Sequence, residues 1–220
     1  MNGMFRYDNI VMRILLKLSD AVILGVLWLV CSIPVVTVGA ASTAFYYAYN
    51  KSVRQGMGYA WREFFGSFKS NFKQSTKIWL TVLGLFALLL VDCYILFACM
   101  ETIPVARILL GIMIVMFAAL NMWSLFVFPY IARFENGTKE AIKNAAIMML
   151  ANIFWAILLM VLYAAAVVMS LWLPVAGIFA PTAYMFFANR ILEPVFQRYM
   201  APEDLKRETE NQRIEQNSNG

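Results

Sequence analysis

Three stretches of this chain, residues 78–90, 108–120 and 153–173, contain no charged side chain. That feature limits the possible folds more than any other. About 20 residues at 1.5 Å rise carry an α-helix across the ~30 Å hydrocarbon core of a bilayer. A soluble helix of that length shows a polar face, which these stretches lack. The composition agrees. Charged residues make up 14% of the chain and apolar residues 62%, whereas soluble domains carry about 25% charged residues; mean hydropathy is +0.68. The expected fold class is all-α, a polytopic transmembrane helical bundle.

Punctuation along the chain suggests how many times it crosses. Pro34, Pro104 and Pro174 stand 70 residues apart, each between two apolar stretches. Proline lacks an N–H and clashes with the preceding turn, so it marks the stops that three helical hairpins require. Six spans are expected, in hairpins over about 10–54, 76–133 and 142–190. With the three proline turns outside, every one of the 18 Lys and Arg residues except Arg107 lies on the cytoplasmic side, as the positive-inside rule demands. A five-span alternative leaves residues 36–53 in the cytoplasm and strands Arg6, Arg13 and Lys17 outside, so six spans fit the charges better. Residues 36–53 are nonetheless the weakest span, because they include Ser42, Thr43, Asn50 and Lys51. A broken or re-entrant element is the alternative there. The N-terminus resembles a signal peptide, but its apolar stretch runs past any cleavage point, and a retained first helix is expected. Both termini are placed in the cytoplasm, in the cell membrane.

Two segments differ from the spans. Trp61, Phe64, Phe65, Phe68 and Phe72 follow the spacing of one helix face, with Arg62, Lys69 and Lys73 around them. This predicts a cytoplasmic interfacial amphipathic helix over about 59–74, its aromatics at the headgroup boundary and its lysines toward anionic lipid; packing against the bundle is the competing reading. Residues 201–220 form a polar tail that is expected to fray or stay disordered. Residues 1–200 make a single membrane domain. Within it, Thr43-Ala44-Phe45 recurs as Thr182-Ala183-Tyr184, and Asn50-Lys51 recurs at the same distance as Asn189-Arg190. An internal repeat is common in transporters, although composition alone accounts for this likeness equally well.

Chemistry-bearing residues are sparse. The net charge of +5 is spread as topological determinants between apolar runs, so nucleic acid is not an expected partner. The three cysteines lie in apolar spans with no metal spacing, and there is no histidine. No catalytic, cofactor or metal residue is assigned, and no hydrolase, Walker or metalloprotease motif occurs. Asp92 is the one acid well inside an apolar span, where a charge costs ~2.5–3.5 kcal/mol and often marks an ion path. Its expected partner is Arg107, across the second hairpin's turn; a structural pair fixing the hairpin competes with a role in transport. Asn121, Asn144 and Asn152 are expected to hydrogen-bond between helices, with Gly84 and Gly111 allowing close approach. Glu193-Pro194 reads as a helix end at the interface. The tryptophans read as belt anchors or packing groups, and a sugar-stacking role would require them to converge on a pocket.

The strings 27–40 (LWLVCSIPVVTVGA), Phe64-Phe65, 67–74 (SFKSNFKQ), 128–134 (FPYIARF) and Arg198-Tyr199-Met200 place landmarks in every hairpin. By them the chain resembles the YesL family, bacterial integral membrane proteins grouped as a domain of unknown function. The resemblance implies a multi-span membrane protein of the kind found among bacterial carbohydrate-uptake and degradation functions. It supplies no functional residues. The expected function is therefore an accessory or regulatory membrane component associated with carbohydrate uptake, its partners being the lipid bilayer, transporter components or a second copy of itself. The alternative is a small-solute or ion transporter acting alone. Autonomous transporters usually show more polar residues at mid-membrane, which favours the accessory reading.

Overall fold

The computed structural model describes residues 10–173 and 176–218, and among them there is no strand. Eight α-helices follow in order: α1 Ile10–Ser32, α2 Val38–Ala48, α3 Ala60–Cys99, α4 Pro104–Arg133, α5 Thr138–Ala151, α6 Ile153–Trp172, α7 Ala176–Gln197 and α8 Pro202–Ser218. Four of them, α1, α3, α4 and α6, are long and apolar enough to cross a membrane, which points to membrane insertion. Their outward faces are aliphatic and exposed, including Leu88, Ile108, Val115 and Val161.

The proline turns behave as the sequence suggests where they are described. Pro34 precedes a 3₁₀ turn, Val35–Thr37, that leads into α2. Pro104 is the first residue of α4, where its missing N–H costs nothing. The third turn, at Pro174 and Val175, lies outside the described residues, as do Arg6 and the last two residues of the tail.

The centre of the bundle is α2. Gly39, Ala40, Ala41, Thr43 and Ala44 are all buried, and small residues of this kind let helix backbones approach closely. A Cβ on Gly39 would stand 2.8 Å from the Ser75 carbonyl oxygen and 2.9 Å from the Phe128 ring. Close approach thus falls at Gly39, and at Gly25, where a Cβ would strike Thr182. It does not fall at Gly84 or Gly111, around which a Cβ would meet nothing within 4 Å. Thr43 and Ser75 exchange a hydrogen bond of 2.9 Å across the α2–α3 contact. Toward its C-terminus α2 widens into a π-helical turn, Tyr49–Arg54, so the helical run is continuous from Val35 to Arg54.

Three boundaries depart from expectation. The aromatic-basic segment is no separate element, because it forms the first turns of the 40-residue α3; no proline interrupts the run at 74–76. Nor is its aromatic face single. Phe64 is buried and stacks on Phe68, while Trp61, Phe65 and Phe72 point outward. The segment expected as the third hairpin, about 142–190, contains a break, because the helix ends at Asn152 (φ −126°, ψ 42°), whose amide turns back onto the Met148 carbonyl. Finally, the polar tail is helical. Pro202 opens α8 with Glu203 and Asp204 in its first turn, favourable at a helix N-terminus, and Glu208 ties the helix to the bundle.

Candidate functional site

The most costly placement in the structure is Glu193, whose side chain is 0% exposed near the end of α7. A buried carboxylate must be paired and hydrogen-bonded to remain charged. Two arginines answer it. Arg133, the last residue of α4, forms an ion pair, and Arg54 of the π turn lies 3.4 Å from the same Oε1. The other oxygen, Oε2, accepts from the Tyr46 hydroxyl at 3.2 Å and from the Asn50 amide. Arg133 also donates to Glu208 of α8 at 2.8 Å, and the Gln55 amide donates both to Glu208 and, at 2.8 Å, to Asn50 Oδ1. Two guanidiniums and two carboxylates make the group electrically neutral, and it joins α2, α4, α7 and α8 at one end of the bundle.

The local backbone explains the convergence. A π turn widens the helix by one residue per hydrogen bond, as in the Gln55 N–H to Asn50 carbonyl contact of 3.0 Å. Such turns recur at functional positions because they re-aim side chains. Here the turn carries Asn50, Lys51 and Arg54. Lys51 pairs with Glu63 at 2.9 Å.

One turn from Glu193 on the same face of α7, Asn189 is buried, and neither its amide nitrogen nor its oxygen has a hydrogen-bond partner. Asn189 is the repeat counterpart of Asn50, and at the same offset Glu193 corresponds to Arg54. The two return limbs that look alike in sequence thus meet through their own equivalent positions. Outside the cluster lies an open, mixed-charge cleft of about 480 Å³ whose walls include Lys51, Glu135, Asp204 and Arg207.

On the other side of the cluster, between α1, α2, α3, α4, α6 and α7, lies a second cavity of about 420 Å³. Its walls are aromatic and aliphatic, with Trp28, Phe45, Trp79, Phe128 and Tyr184 among them, and none of its lining residues is Asp, Glu, Lys or Arg. The Trp28 and Trp79 ring nitrogens are already committed, to Ser42 Oγ at 3.1 Å and to the Val35 carbonyl at 2.6 Å.

Of the predicted intramembrane residues, Asn121 lines this cavity. Asp92 and Arg107 do not, and no ion pair joins them among the described residues. Ala106 is the buried residue at that turn of α4, and Arg107, about 100° further round the helix, is exposed. The interfacial set divides, with Phe64 and Phe68 inward and Trp61, Phe65, Lys69, Phe72 and Lys73 outward. Glu193, Arg133 and Glu208 were not anticipated as a site. The available signal is an acid in α7, a mainly apolar helix, and only the packing of α7 against α4 reveals its partner. No group of three or more metal-ligating side chains occurs among the described residues.

Residues 21–93 match the model of a family described as protein of unknown function, DUF624. The match covers Tyr46, Asn50 and Arg54 but ends before Arg133, Glu193 and Glu208. No curated protein and no solved structure matches the chain.

Proposed function

We propose that this chain is a six-span bacterial membrane protein of the YesL kind, with both termini cytoplasmic, that acts as an accessory or regulatory component of a carbohydrate-uptake system. The two crossings beyond α1, α3, α4 and α6 are the Val35–Arg54 helical run and α7, the second and sixth in chain order. The run is 20 residues long and α7 is 22, each about 30 Å at helical rise. Thr43, Asn50, Asn189 and Glu193 are buried against other helices, which is how such segments tolerate lipid, while Arg54 and Arg190, toward the ends that meet the cytoplasm, are exposed. The Glu193 cluster then faces the cytoplasm, together with all the flanking basic residues.

The observation that carries the accessory reading is the first half of α3. At 40 residues the helix is about 60 Å long, twice the hydrocarbon thickness. The surplus before residue 78 extends the span as a cytoplasmic arm. One face of it is pinned by Phe64, Ser67 and the Lys51–Glu63 ion pair. The opposite face presents Trp61, 59% exposed, with Phe65, Phe72, Arg62, Lys69 and Lys73. Exposed Trp and Phe beside an arginine on a rigid support are residue types enriched where proteins dock. A photocrosslinker at Trp61 is expected to trap a distinct second protein in native membranes. A chain that crosslinks only to lipid, purifies alone and moves solute in liposomes would overturn this reading in favour of transport, the second reading, which the 420 Å³ cavity supports.

A further inference from the structure

We propose that the cavity between α1, α2, α3, α4, α6 and α7 binds an uncharged amphiphile from the bilayer, an apolar chain ending in a hydroxyl group. This does not depend on whether the chain is an accessory component or a transporter. Four observations select that chemistry.

The first is charge. With no Asp, Glu, Lys or Arg in its lining, the cavity offers no charge to pair with an ionic head, and an unpaired ion in apolar surroundings is strongly disfavoured. The second is polarity held in reserve. Asn121, Tyr163 and Tyr184 line the cavity, and their amide and hydroxyl groups make no hydrogen bond among the described residues. The Tyr163 and Tyr184 rings meet edge to face at 5.7 Å, bringing two hydroxyl-bearing rings to one wall. The third concerns the backbone. Pro129 and Pro181 stand inside α4 and α7, and a helical proline cannot donate to the carbonyl four residues earlier. Those carbonyls belong to Leu125 and Gly177, both lining residues. Carbonyls that have lost their usual helical donor, beside a neutral amide, suit a ligand that donates one hydrogen bond and accepts another, as an alcohol does. A few convergent polar groups in an otherwise apolar cavity is the usual make-up of a small-molecule site.

The fourth is access. Met185 lines the cavity, and Asn189 and Glu193 follow on α7, so about 12 Å of helix at 1.5 Å rise separates the cavity from the Glu193 carboxylate. The ion-paired cluster shuts that end. Tyr163 and Val167 of α6, by contrast, line the cavity and are themselves exposed on the bundle's outer surface, so entry is from lipid. At about 30 Å³ per water-sized group, 420 Å³ accommodates a head and roughly a dozen heavy atoms of one chain.

The test uses the full-length protein in nanodiscs with a diazirine-bearing hexadecanol as probe, and peptide mass spectrometry to locate the label. The expected result is saturable labelling of peptides containing Trp28, Asn121 and Tyr184, competed by hexadecanol and not by ionised hexadecanoate. Ala166→Trp fills the cavity and should lower that labelling at least about tenfold. Should that variant misfold, Asn121→Leu, similar in volume, should weaken competition by about 3- to 10-fold, the factor for one lost hydrogen bond. Label spread without saturation over Ile112 and Val115 of α4 would overturn the proposal, as would equal competition by hexadecanoate.

Discussion

Replacing Glu193 with glutamine is the sharpest perturbation of the charged cluster. The amide keeps the size of the side chain and can still accept from Tyr46 and Asn50. What changes is the charge balance around Arg133, whose side chain is 14% exposed and which is left with Glu208 alone. Breaking a buried ion pair by removing one partner costs about 3–5 kcal/mol. Because Glu208 remains 2.8 Å away, the lower end applies, about 3 kcal/mol. The Arg54 contact adds less than about 1 kcal/mol, because Arg54 is 38% exposed and solvent screens it. For a chain of this size 1 kcal/mol moves the melting temperature by about 2–4 °C, so a drop of about 6–12 °C is expected. Tryptophan fluorescence during a thermal ramp in detergent reads it. The double variant Glu193→Gln/Arg133→Gln should fall short of the sum of the singles by at least about 1 kcal/mol, since removing both charges relieves the mismatch. A Glu193→Gln protein melting within about 1 °C of wild type, with singles that add within about 0.5 kcal/mol, would refute the claim that this pair holds the bundle end together.

Three further outcomes are expected. Gly39→Leu should abolish the monodisperse peak on size exclusion, because even a Cβ there would press on Ser75 and Phe128, while Gly84→Ala, facing open space, should behave as wild type. Asp92→Asn should leave folded yield and melting temperature unchanged, since no ion pair depends on it among the described residues; a large loss of yield would restore the expected pair with Arg107. Glu208→Ala removes the contacts of α8 to Arg133 and Gln55, and trypsin should then cut at Arg207 and Arg213 several-fold faster. An unchanged cleavage rate would show that α8 is held by something else.

The sequence made the membrane-inserted helices legible because lipid imposes one rule over a long window, and residues 78–90 or 153–173 obey it without reference to any neighbour. Turns at Pro34 and Pro104 were legible for the same reason, as proline acts locally. Contacts between helices were not. Asn121 is a polar group among apolar ones and lines the cavity, but it makes none of the interhelical hydrogen bonds expected of it among the described residues. Asp92 drew attention as the conspicuous charge, yet the carboxylate that the fold buries is Glu193, which looked like an ordinary helix end until α4 placed Arg133 beside it. The joining of the aromatic segment to α3 escaped notice because a change from amphipathic to apolar composition looks like a boundary, whereas helix continuity depends only on the absence of a breaker. The likeness of residues 43–51 to 182–190 gains a physical counterpart, since Asn50 and Asn189 are both buried and Arg54 faces Glu193.

The account turns on α2 and α7 crossing the bilayer with the Glu193 cluster on the cytoplasmic side. Reporter domains fused after Thr37, Met57, Ile103, Asn136, Leu173 and Glu215 test it directly. Six crossings predict an exterior signal at Thr37, Ile103 and Leu173 and a cytosolic signal at Met57, Asn136 and Glu215. A cytosolic reading at Thr37, or an exterior one at Met57 or Glu215, would contradict it.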